Sequence, residues 1–123
     1  MQKLTEPQKL WIAALRSGKY EQAQDKLQDG DGFCCLGVCA KVYEDTEFGF
    51  VGREGNEIAG DTLSGQPGVR DWSGLHHAVA DGFNHPDGLS LVEMNDRGQT
   101  FHEIADELEA RPELYFVTPG ESD

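Results

Sequence analysis

Apolar residues recur at helical spacing in three stretches of the chain and lose that spacing in between. Leu10, Trp11, Ala14 and Leu15 share a face of a helix starting at Thr5, where Thr5-Glu6-Pro7-Gln8 sets a capping hydroxyl three residues ahead of Gln8 and puts Pro7 in the first turn. Arg16-Ser17-Gly18 supplies a basic and then permissive ending. In the longest apolar run, Phe33 to Tyr43, one row holds Cys35, Cys39 and Tyr43 and the next holds Cys34, Val38 and Val42. That pattern predicts a helix buried on a wide face, the centre of the fold. Gly37 inside it costs about 1 kcal/mol relative to Ala, which is tolerable where another backbone comes close. The third stretch, Phe101 to Ala110, opens on the capping box Thr100-x-x-Glu103, carries Phe101, Ile104, Ala105 and Leu108 on one stripe, and stops before Pro112.

The remaining segments carry weaker signals. Tyr20, Ala23 and Leu27 fit helical spacing and predict a short helix, broken by Asp29-Gly30-Asp31-Gly32. Phe48, Phe50 and Val51 before the turn Glu54-Gly55-Asn56, with Glu57-Ile58-Ala59 after it, fit a small hairpin; the Gly-rich continuation to Gly68 fits a loop equally well. Pro67 to Trp72 reads as one helical turn closed by Gly74, with Val69 and Trp72 inward. Leu75 to Gly88 reads as a loop holding His76, His77 and His85, and Ser90-x-x-Glu93 opens a short helix from Leu91 to Asn95. Leu114 to Val117 reads as a terminal strand. The expectation is a compact single domain over 1–117, mainly α or α+β, with a disordered tail at 118–123. Its core is the Phe33 to Tyr43 helix packed by Trp11, Leu15, Trp72, Phe101, Ile104 and Leu108.

Charge changes this picture in one respect. The chain's 123 residues include 23 acidic and 10 basic side chains, a formal charge of -13. A length in this range suits one domain, and no apolar run approaches the roughly 18 residues of a membrane span. Met1 to Pro7 lacks the apolar stretch of a signal peptide, so a cytoplasmic protein is expected. The acidic balance argues against phosphate-neutralising contact with nucleic acid. The charge is also uneven: Lys3, Lys9, Arg16 and Lys19 face Glu6 alone near the start, whereas the last third is dominated by carboxylates.

Phe33-Cys34-Cys35-Leu36-Gly37-Val38-Cys39, taken with Met94-Asn95-Asp96-Arg97-Gly98-Gln99-Thr100-Phe101-His102-Glu103-Ile104-Ala105-Asp106, resembles an uncharacterised family of small proteins encoded by phages and prophages. The likeness extends to Trp11, to Ala14 through Tyr20 with Gln22, and to Val69, Trp72, Gly74 and Leu75; the stretch from Asp45 to Gly65 lies outside it. It implies a bacterial cytoplasmic setting and a common compact fold. No catalytic residue comes with it.

Several constellations could carry chemistry. Cys34 and Cys35 sit near a predicted helix N-terminus, a position that lowers a thiol pKa, and His76, His77 or His85 could serve as base in a cysteine-dependent hydrolase, with Asn95 or Asp96 as orienter. Against this, free Cys is among the most buried residue types and no peptidase signature is present. The C-x3-C pair Cys35 and Cys39 beside adjacent histidines falls short of a structural zinc pattern, and three thiols in a reducing compartment favour no disulfide. No metal or cofactor is therefore expected. Asn95 and Asp96, with Trp72, are candidates for a small-ligand or nucleotide pocket, though both suit a turn between helices. Glu93, Asp96, Glu103, Asp106, Glu107 and Glu109 form the candidate partner-binding surface, which could imitate a phosphate track and occupy the basic groove of a host nucleic-acid or defence enzyme.

Overall fold

The computed structural model describes residues 4–24, 26–46, 49, 51–60, 63, 66–75 and 91–116. Its element order is α1 (Glu6–Arg16), β1 (Glu21–Gln22), β2 (Gln28–Asp29), β3 (Gly32–Phe33), α2 (Cys35–Glu44), β4 (Arg53–Glu54), β5 (Glu57–Ile58), α3 (Pro67–Ser73), α4 (Leu91–Asp96), α5 (Phe101–Ala110) and α6 (Pro112–Tyr115). The class is mixed, helices around very small sheets, as the sequence predicts.

Two of the three expected capping boxes form, at Thr5 and Thr100. The Gln8 amide N–H donates to Thr5 Oγ1 while Gln8 Oε1 accepts from the Thr5 N–H at 2.9 Å, and Thr100 and Glu103 make the same reciprocal pair. These contacts satisfy amides that a helix start leaves without partners. Gly74 closes α3 in the left-handed conformation, at φ 78°, where a side chain would be strained.

α2 is the hub. Cys35, Leu36, Val38, Cys39 and Ala40 are completely buried, and α1, α3 and α4 pack around them. Trp11 of α1 donates its indole N–H to the Cys35 carbonyl at 3.0 Å and meets the Phe116 ring edge-on at 6.0 Å. The apolar stripe of α5, Ile104, Ala105 and Leu108, is also fully buried, with α1 its most extensive neighbour. Of the residues expected to pack the core, Trp72 alone is half-buried, its ring tilted against Tyr43 at 5.5 Å.

Three local expectations need correction. The described residues of Tyr20 to Leu27 form no helix: Glu21–Gln22 forms β1, which runs parallel to β3 in a sheet of order β1-β3-β2. The central helix starts at Cys35, because Phe33 belongs to β3 and pairs with Gln28 across the β2-β3 hairpin. At the C-terminal end, residues 112–115 turn as α6, and among the described residues of the expected strand Phe116 makes an isolated bridge to Leu75. A hairpin does form in the middle segment, with Gly55 at φ 63° in its turn and Glu57–Ile58 as its second strand, but its first strand is Arg53–Glu54, beyond Val51 where the apolar residues place it. Phe48 and Phe50, the Ser90 cap, His76, His77, His85 and the 118–123 tail lie outside the described residues.

Gly37 has a specific task. The Leu27 carbonyl lies where a Cβ on Gly37 would stand, and the Cys34 N–H donates to that same carbonyl at 3.3 Å. Absence of a side chain therefore lets the loop before β2 press directly onto α2.

Candidate functional site

Cys34 and Cys35 lie at the head of α2, and Cys39 lies about one turn further along it. Cys34 is its N-cap: the sulfur takes the place of a Ser or Thr oxygen and accepts the Gly37 amide at 3.3 Å. The Cys35 thiol donates to the Leu91 carbonyl at 3.5 Å. Cys39 faces the Ser73 hydroxyl. Burial pushes the Cys34 thiol up to about 11, outweighing the Gly37 and Leu36 amides that pull the other way. Cys35 and Cys39 are also raised, again chiefly by burial. The expected lowering of thiol pKa by the helix N-terminus is thus reversed, because desolvation of a thiolate at this depth is the larger effect. All three thiols are protonated at neutral pH, and no group of His, Cys, Asp and Glu among the described residues is arranged to hold a metal ion.

Asn95, at the end of α4, is completely buried and fully used by the fold. Its Oδ1 accepts from the Cys35 N–H at 3.1 Å and from Gln22 Nε2 at 2.8 Å, and its Nδ2 donates to the Ala23 carbonyl at 2.8 Å. One amide thereby ties α4 to the head of α2 and to the strand that sequence periodicity misreads. Asp96 next to it is exposed, and Trp72 stands against Tyr43 on the α2-α3 side.

The carboxylates behave differently. Glu103, Asp106 and Glu109 on α5, and Glu93 and Asp96 on α4, are exposed, while Glu107 is half-buried. Several already have partners. Glu103 caps its own helix, and Asp106 and Glu109 share the Arg16 guanidinium of α1, Asp106 at 2.9 Å. The two carboxylates raise the Arg16 pKa, Glu109 first. Glu107 accepts the Tyr115 hydroxyl at 2.5 Å and lies 3.9 Å from Arg111, and burial followed by Glu107 raises that phenol. The charge asymmetry read along the sequence therefore closes partly on itself where α1 meets α5.

Two residues with large roles went unread in the sequence. Arg16 is the cation that organises the acidic helix; its place in the last turn of α1 was visible, its distant partners were not. Gln66, 4% exposed, accepts the Gly52 N–H at 2.9 Å through Oε1 and donates Nε2 to the Gly52 and Ala59 carbonyls, acting as an added rung between the β4-β5 hairpin and α3. A glutamine just before a helix-starting proline in a Gly-rich stretch was the only signal for it.

No described helix is long and apolar enough to cross a membrane. No curated protein and no solved structure matches the chain. One family model does, over residues 3–112. With that span matched, the chain belongs to the family described as Domain of unknown function (DUF8296).

Proposed function

We propose that this chain is a non-enzymatic phage or prophage accessory protein that binds a host protein, a nucleic-acid-handling or defence enzyme, through the acidic exterior of α4 and α5. The observation that carries the reading is a contrast in access. The three cysteine thiols are sealed and protonated along α2, whereas Glu93, Asp96, Glu103, Asp106 and Glu109 are exposed. Carboxylates displayed on two packed helices suit a basic groove, where complementary charge speeds encounter and excludes acidic competitors. The phage setting rests on the resemblance of the Phe33 to Cys39 and Met94 to Asp106 stretches.

The test must remove charge while sparing the fold. Glu103→Gln retains an N3 amide competent for the capping box, and Asp106→Asn with Glu109→Gln keeps acceptors near Arg16. The triple amide variant should circulate as a folded protein and lose the partner that the parent chain retains from bacterial lysate at low salt. Equal retention by both proteins would sink the acidic-surface reading.

A further inference from the structure

The outer face of α1 carries a feature that the acidic surface does not use. Leu10 is 49% exposed, the exposed large apolar side chain among the described residues. Single exposed leucines are ordinary, but this one borders a groove of about 270 Å³ floored by Ala14, Tyr20 and Val42, with Lys19 and Asp45 also lining it. Ala13, exposed and lining the same groove as Leu10, leaves room for a second backbone to approach. A knob thus stands on the rim of a hole between α1 and the end of α2.

We propose that this face pairs with a second copy of the chain, α1 against α1 in antiparallel orientation about a two-fold axis, each Leu10 entering the groove of the other copy. The charge pattern selects this occupant. Exposed Glu6 opens α1, and exposed Lys19 stands just beyond its C-terminal end. Antiparallel packing brings Glu6 of each copy to Lys19 of the other, twice, and sets the helix dipoles in opposition; parallel packing would set like against like. A two-fold arrangement also uses both Leu10 side chains and closes, so no sticky face is left to propagate. Lys9 and Lys19 against Glu6 make this stretch net basic in a chain of charge -13, which lowers the repulsion two copies must overcome even with Asp45 in the groove lining. A contact limited to about one helix face falls at the small end of specific interfaces, so the dimer is weak and concentration-dependent.

Sedimentation equilibrium from about 10 µM to about 500 µM tests this, a window matched to weak association. The parent chain should move from monomer toward dimer across that range, and added NaCl should tighten the dimer by screening the net repulsion. Leu10→Glu, at an exposed position, should stay folded by circular dichroism and remain monomeric. Glu6→Lys and Lys19→Glu should each weaken association about 10-fold or more, and the double variant should recover it, since the swapped pair is again complementary. A parent chain that stays monomeric throughout overturns the proposal, as does a dimer indifferent to Leu10→Glu or to the charge swap. A monomeric parent whose Leu10 methyl resonances shift on adding a synthetic amphipathic Leu/Lys helix, with binding that salt weakens, would also overturn it and assign the groove to a foreign basic helix.

Discussion

α2 and α5 are both ten residues long, and the two helices put their chemistry in opposite places. From Cys35 to Ala40 α2 is buried on every side, so its thiols are core atoms whose hydrogen bonds hold backbone together. α5 buries only Phe101, Ile104, Ala105 and Leu108 and turns most of its carboxylates outward. A residue type is therefore a poor guide to a site until its surroundings are known. A cysteine at a helix N-terminus is reactive only where water can stabilise the thiolate, and here burial prevents it.

The contrast can be broken most forcefully at Gly37. Gly37→Ala drives a methyl into the Leu27 carbonyl, and the loss should exceed about 3 kcal/mol because neither helix nor loop can yield easily. Urea denaturation should show it as a large fall in midpoint. Asn95→Ala strips partners from the buried Cys35 N–H and Ala23 carbonyl, and about 3 kcal/mol is expected for leaving such groups unsatisfied. The same titration measures it.

A pH scan probes the thiols directly. Cys34 has an ordinary value of 9.0 and a folded value of about 11, so the folded state favours the neutral thiol. Its contribution is complete below pH 9 and is lost as pH climbs toward 11, on the order of 2 kcal/mol by linkage. Cys34→Ser keeps an N-cap oxygen and should flatten that part of the alkaline decline. On the α5 side, Thr100→Ala removes one capping partner and should cost about 1 kcal/mol, read as a modest drop in melting temperature. An α5 cap that mattered more than the Asn95 amide would reverse the ranking of the two regions.

How much of this was legible in the sequence depended on the range of the interactions. α1 and α5 could be read because their caps and stripes are complete within a few residues, and Gly37 was recognised as a place for close approach. The segment from Tyr20 to Leu27 could not: each strand is two residues long, and β1 is held by parallel pairing to Gly32 and Phe33, on the far side of β2 in the chain. Two residues carry no period. Asn95 was distinctive as a polar residue at a helix-helix corner, but its partners Gln22, Ala23 and Cys35 lie 60 or more positions away. The acidic surface was visible as composition, while its partial neutralisation by Arg16 required α1 and α5 to be seen side by side.

The most direct measurement is the rate of thiol labelling in the native protein by an aromatic disulfide reagent near pH 8. Buried and protonated, the three cysteines should react only as fast as the molecule unfolds, and all together once denaturant is added. A rapid stoichiometric phase at Cys34 or Cys35 in the folded chain would contradict the account and return the cysteines to consideration as nucleophiles.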